Sequence, residues 1–277
     1  MIEIKNLTKR YTKSMLPALD DVSFKVRNRK IYGLLGPKGA GVSTVMDIIA
    51  GVTSPTQGTV LINGYDMTKQ PKEAKQQIGY LPSPPALFPD ASPREYLSFV
   101  AEAKGVKGDL RDAQVKEAIA LTGLISVQDR LIHGLSKYYQ KRIGLAATLL
   151  GTPDVILLDE PFTGSDARTV NEMRELIRRL GQTKTVIISG HVFAELSDLC
   201  DQLVILSEGR VVFEGAPQDS SISELALGEV FAKISQQATE IPSADYEDDF
   251  SEADDEKSEE PSPEEAAETE NESKEAE

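Results

Sequence analysis

Apolar and polar positions over the first 35 residues alternate in short runs, the period of strands with one buried face. Residues 1–5, 22–27 and 31–35 read as antiparallel β, with Leu19 and Val22 turned inward. A glycine-rich stretch, Gly36-Pro37-Lys38-Gly39-Ala40-Gly41-Val42-Ser43-Thr44, then separates the last run from a helical one over 45–50. Gly51 and Pro55 end that helix. Residues 59–62 form a strand entering a turn at Asn63-Gly64, and 76–81 form another, stopped by Pro82, Pro84 and Pro85.

The period changes over 93–150. Pro93 stands at a helix start, with Tyr96, Phe99 and Val100 following at helical spacing. Residues 111–122 and 136–150 supply two more helices, so about 60 residues form a helical insertion in an otherwise alternating α/β pattern. The short apolar run 154–158 resumes the sheet as a buried strand. A helix at 168–180, strands at 184–188, 203–206 and 210–214, and an amphipathic helix at 223–236 complete the pattern.

Strand, glycine-rich turn, helix is the context a phosphate-binding loop needs, because successive N–H groups and a helix N-terminus then face one anion. The stretch fits G-x-x-x-x-G-K-[ST] at every fixed position except one: Val42 stands where the motif has lysine. Further on, the apolar strand Val155-Ile156-Leu157-Leu158 ends in Asp159-Glu160, about 120 residues after the loop. At a sheet edge one carboxylate can hold Mg²⁺ through water and the next can polarise an attacking water. A second strand, Val186-Ile187-Ile188-Ser189-Gly190, ends at His191, and Leu135-Ser136-Lys137-Tyr138-Tyr139-Gln140 opens the helix before the carboxylate strand.

In this order and spacing the chain, over residues 1–236, resembles the ATP-binding subunit of an ABC transporter, with a texture closest to subunits serving ABC-2-type export permeases. The resemblance implies an α/β fold: a P-loop NTPase-type core sheet with an N-terminal antiparallel β subdomain and the helical insertion. It implies ATP and Mg²⁺ as cofactors, a membrane permease as partner, and a second ATP-binding subunit, the same or different, completing each site. Tyr11 aligns with the aromatic that stacks on adenine; Gly36, Pro37, Lys38, Gly39, Ala40, Gly41 and Val42 with the phosphate loop; Ser43 with the Mg²⁺-binding hydroxyl and Thr44 with a phosphate contact. Asp159 matches the Walker B carboxylate, Glu160 the catalytic base, Asp166 the D-loop aspartate, His191 the γ-phosphate switch, and Ser136 the signature serine.

Three positions depart from the family. Val42 removes an ammonium whose charge-assisted hydrogen bond is worth roughly 1.5–3 kcal/mol, or about 10- to 150-fold in affinity. Ser83 stands where the family has Gln or Glu reaching toward Mg²⁺, and Tyr138 where it has the signature glycine. Tyr138 is expected to crowd the approach to a partner's ATP or to demand another backbone geometry. Val42 and Ser83 affect this chain's own site and Tyr138 its partner's, so a degenerate subunit beside a more complete one is expected, with hydrolysis weak or absent. Lys38 offers an alternative source of the missing charge. A non-hydrolysing regulatory or scaffold protein is the competing function.

Charge adds a boundary. The net charge is −15, but residues 240–277 carry 18 acidic residues and 2 lysines, a net −16, which leaves about +1 for the rest. Near neutrality argues against nucleic acid as a partner. Residues 237–277, rich in Glu, Asp, Ser, Pro and Ala, read as a disordered acidic tail. One cysteine, Cys200, reads as a buried filler, and His133 as a turn residue. With no signal-peptide pattern at the start and no run of about 20 apolar residues, the expected place is cytoplasmic, peripheral on the cytoplasmic face of a membrane.

Overall fold

The computed structural model describes residues 1–12, 16–217 and 231–233. The chain opens with β1 (Ile2–Lys9) and β2 (Leu19–Val26), paired antiparallel, followed by β3 (Ile31–Leu35) and α1 (Val42–Ala50). Then come β4 (Gln57–Ile62), β5 (Tyr65–Asp66), α2 (Pro71–Gln76) and β6 (Ile78–Leu81). The insertion holds α3 (Pro93–Ala103), α4 (Gly108–Leu121) and α5 (Lys137–Leu149). The chain returns through β7 (Val155–Leu158), α6 (Ala167–Gly181), β8 (Thr185–Gly190), α7 (Phe193–Ser197), β9 (Gln202–Ser207) and β10 (Arg210–Gly215).

These strands make two sheets, an antiparallel one ordered β2-β1-β4-β5 and a larger one ordered β10-β9-β3-β8-β7-β6. The larger sheet is parallel except for the β9–β10 pair. β3 therefore does not belong with the N-terminal antiparallel strands, as its sequence position suggests; it lies between β8 and β9, parallel to both. All five of its residues are buried, the mark of a strand covered on two faces rather than one. The short helices α2 and α7 are also additional to the expected elements, being too brief for a helical period to stand out.

Alternation sorts the sheet's side chains into two cores. Tyr32, Leu34, Val155, Leu157, Ile187, Val204 and Leu206 face the antiparallel sheet and α1. Leu35, Ile156, Leu158, Val186, Ile188, Leu203 and Ile205 face α6 and α7, with Cys200 among them. A third core belongs to the insertion, where Leu97, Ala101, Ile119, Leu124, Ile143 and Ala146 interlock α3, α4 and α5. A capping box, with Ser92 and Glu95 bonded to each other's backbone N–H, starts α3 immediately before Pro93. His133 lies in a short 3₁₀ turn, exposed, as expected of a turn residue. Of the expected helix at 223–236, only residues 231–233 are described; they are helical, and Phe231 packs against Phe193. The acidic segment 237–277 lies outside the described residues.

Candidate nucleotide site

The registers bring the motifs to one edge. Leu35 pairs with Gly190, Leu34 with Ser189, and Leu158 with Ile188. The loop after β3, the His191 end of β8 and the Asp159-Glu160 end of β7 therefore emerge side by side at the carboxyl ends of adjacent parallel strands. Open α/β sheets place ligands there.

The loop is an anion cradle by its backbone. A Cβ on Gly36 would lie 2.9 Å from the Leu206 carbonyl oxygen, and one on Gly41 would lie 2.5 Å from the Ala18 carbonyl oxygen. Gly41 has φ of 97° and is the N-cap of α1, with no side-chain cap; both conformation and space exclude a side chain. The first helical hydrogen bond runs from Val45 N to Gly41 O. The amides of Val42, Ser43 and Thr44 thus have no carbonyl within the helix to accept them, and none elsewhere among the described residues. Free amides and the helix dipole point at one place, which suits a phosphate chain. Ser43 is exposed and available to a cation.

Val42 does not reach into that cradle with a polar group. Its side chain is half-buried against the core, with Cγ2 2.9 Å from where a Gly36 Cβ would sit. Lys38 is exposed and makes no hydrogen bond or ion pair among the described residues. Tyr11 is 45% exposed just past β1, with the Lys9 ammonium 4.9 Å from its ring centre. Ala18, which bonds Lys9, lies against Gly41, so the Tyr11 end of β1 and the start of α1 share one side.

The carboxylate end is wired together by a residue that motif spacing did not single out. Ser189 Oγ donates to Asp159 Oδ1 at 2.5 Å and accepts from Glu160 N–H at 2.8 Å. Its only signal in sequence is a hydroxyl at the end of an apolar strand, two residues before His191. Burial pushes the Asp159 carboxyl above the ordinary aspartate range, against the hydrogen bond from Ser189, with Glu160 and Asp47 adding negative charge. Asp47, on α1, accepts from Tyr80 OH at 3.1 Å and is itself pushed up by burial. The Asp159 carboxylate and the exposed Ser43 hydroxyl are oxygen donors of the kind a hard divalent ion takes.

Glu160 adopts φ of 42°, a conformation non-glycine residues seldom hold. Its Oε2 accepts from Thr163 Oγ1 at 3.0 Å, and its Oε1 lies 3.7 Å from His191 Nδ1. Lys141 on α5 donates to the Pro161 carbonyl at 3.2 Å and also to the Thr163 carbonyl. Asp166 is the N-cap of α6, accepting from Thr169 N–H at 2.8 Å, which holds its carboxyl below the usual range. Ser83 follows β6 in an exposed turn, beyond the strand beside β7.

Ser136 and Tyr138 sit on the first turn of α5, outside this cluster. Ser136 is the N-cap but its hydroxyl makes no cap bond, leaving it exposed. The expected crowding by Tyr138 does not take the form of a distorted backbone: the residue is ordinary right-handed helix. Its hydroxyl donates to Glu172 Oε2 at 2.6 Å, and its ring lies beneath the Arg142 guanidinium at 4.5 Å.

The comparisons agree with this geometry. Residues 19–163 match the family model described as ABC transporter. The ABC transporter ATP-binding protein NatA of Bacillus subtilis is 32% identical over 228 residues, spanning 81% of this chain and 93% of that protein. Nod factor export ATP-binding protein I of Burkholderia lata is 34% identical over 225 residues, 81% of this chain and 73% of that protein. Among solved structures, an ATP binding subunit of an ABC transporter superposes with a TM-score of 0.75 at 26% identity, covering 84% of this chain and 99% of that one. The ATP-binding cassette MJ0796, a dimer bound to ADP and Pi, shares the fold with a TM-score of 0.72 at 24% identity, over 78% of this chain and 98% of that one. With an amide cradle and a carboxylate pair on one sheet edge, and relatives of this kind along four-fifths of its length, the chain belongs to the ABC transporter family as an ATP-binding subunit.

Proposed function

We propose that this subunit binds ATP with Mg²⁺ at the carboxyl edge of its larger sheet, pairs with a second ATP-binding subunit, and passes closure to a separate membrane permease, with its own hydrolysis weak or absent. The observation that carries this is the contrast inside one site. The cradle of amides and the Asp159–Ser189–Glu160 network are built, while the side chain at position 42 is an uncharged valine packed onto the loop.

In this reading the free amides from Val42 to Thr44 hold the phosphates, and Tyr11 stacks on the base. Ser43 and Asp159 hold Mg²⁺, which when bound offsets charge on the phosphate oxygens. Glu160 orients an attacking water and takes its proton, while His191, 3.7 Å away, contacts the γ-phosphate. No ammonium stands at position 42 to stabilise charge in the transition state, and single groups of that kind supply factors of about 10²–10³ in rate. Ser136, Tyr138 and Asp166 belong to the face offered to the partner subunit. The ATP-binding domain covers residues 1–236, with residues 237–277 as an acidic tail beyond it.

Coupling to a permease is supported by an exposed aromatic group whose Phe88 follows Ser83 by five residues. Phe88 and Phe99 are 47% and 55% exposed, with ring centres 5.2 Å apart, and Phe88 also packs edge-on against Tyr96 at 5.4 Å. Exposed apolar clusters of this kind suit a protein partner. Among the described residues no helix is long and apolar enough to cross a membrane. In this reading the permease is a separate chain and the subunit lies peripherally on the membrane's cytoplasmic face.

Thermal unfolding with Mg-ATP tests the reading. Ligand at 100 times its Kd adds about 2.7 kcal/mol of stability, so a rise in Tm with little phosphate release is expected. Absence of any shift at millimolar Mg-ATP would sink nucleotide binding and favour the second reading, a regulatory or scaffold pseudo-ATPase, to which Val42 and Tyr138 lend support.

A further inference from the structure

Tyr138 is part of a cluster that the nucleotide chemistry does not use. Glu172, on α6, receives three donors: Tyr138 OH at 2.6 Å, Arg142 at 2.6 Å and Arg168 at 3.1 Å. Arg142 is largely buried, covers the Tyr138 ring at 4.5 Å, and uses another nitrogen to hold the Thr122 carbonyl at 2.8 Å. Tyr139 closes the group edge-on, 5.0 Å from Tyr138. One turn further along α5, Lys141 holds the Pro161 and Thr163 carbonyls. The segment from Glu160 to Asp166 is therefore tied to α5 at its start through Lys141. Just past its end it is tied through Glu172, six residues after Asp166.

We infer that Tyr138 is a positioning residue: with Arg142 and Lys141 it clips the first turns of α5 to both ends of the 161–172 segment, so that the Ser136 face and the strained Glu160 backbone move as one body. A glycine at 138 could make neither the ring contact nor the hydrogen bond. The large side chain is thus a brace rather than an obstruction, since it lies along α6. Charge agrees with this: Glu172 is held below the ordinary glutamate range first by the Tyr138 hydroxyl and Arg168, and the Tyr138 hydroxyl is pushed up, which keeps the proton on the donor. The functional half of the inference rests on the proposed pairing with a second subunit; the mechanical half does not.

The test separates the two. Amide hydrogen exchange of the full chain without nucleotide reads the brace directly, in Tyr138→Ala, Tyr138→Phe and Glu172→Gln, each first shown by its melting curve to be folded. Exchange at residues 163–170 is expected to rise about tenfold in Tyr138→Ala, the change for roughly 1.4 kcal/mol, and less in Tyr138→Phe, which keeps the ring under Arg142. Unchanged exchange in Tyr138→Ala overturns the brace, whether or not the chain binds ATP. Sedimentation with Mg-ATP then reads pairing. Weaker nucleotide-dependent self-association in Tyr138→Ala is expected, and stronger association would mean that the ring obstructs the face, which also overturns the inference. If the unmodified chain shows no thermal shift with Mg-ATP, the proposed function fails while the exchange result still decides the brace.

Discussion

The two ends of the nucleotide site are held by different kinds of atom. At the loop the phosphate cradle is backbone, glycines that admit no Cβ and amides left over by the start of α1, with the Ser43 hydroxyl beside it. At the strand ends, what survives is a network of side chains, with Ser189 joined to Asp159 and Glu160, and Thr163 and His191 beside Glu160. Position 42 of the loop carries no charge, and its valine packs onto the core. Losing a member of the strand-end network would strand a buried carboxylate or amide, which carries a penalty of its own. Fold and chemistry are therefore coupled tightly at one end of the site and loosely at the other.

Four substitutions sharpen or break that contrast. Val42→Lys should have the largest effect: about 10²–10³-fold faster phosphate release, with Mg-ATP affinity up roughly 10- to 150-fold by calorimetry. An unchanged rate would mean that the loop is not the limiting end. Ser189→Ala should cost about 1–3 kcal/mol in urea unfolding and shrink the Mg-ATP thermal shift; no loss of stability would show that the network is not under tension to persist. Gly41→Ala should cost about 1–2 kcal/mol from the left-handed backbone alone, more with the contact at the Ala18 carbonyl, and should abolish the nucleotide shift. Lys38→Ala should leave stability within about 0.5 kcal/mol and Mg-ATP affinity unaltered. A tenfold drop in affinity would instead show that the loop kept a cation and that the two ends differ less than Val42 suggests.

Much of the site was legible because its signals are local. Glycine spacing, an apolar run ending in Asp159-Glu160, and a strand ending at His191 each lie within a few residues of sequence. Ser189 was harder, since a strand-end hydroxyl has many ordinary uses until register places it opposite Asp159. Lys141 and Glu172 give no signal of the clip: a lysine and a glutamate on helices look solvated, and apart from Arg168, four residues before Glu172, their partners lie 20 to 34 residues away. Asp166, which the resemblance matches to the D-loop aspartate, also caps α6.

Residue order alone determined the types of the longer elements, the insertion between the two parts of the sheet, the glycine-rich loop and the absence of charge at Val42, because periodicity, turn chemistry and motif spacing are properties of neighbouring residues. Only the tertiary structure decided that β3 leaves its antiparallel neighbours for the centre of the parallel sheet, that Ser189 joins the two carboxylate residues, and that Tyr138 turns toward Glu172 instead of outward. Strand partners and side-chain directions depend on which surfaces meet across long sequence separations, and the apolar pattern of a single run is the same whichever sheet it enters.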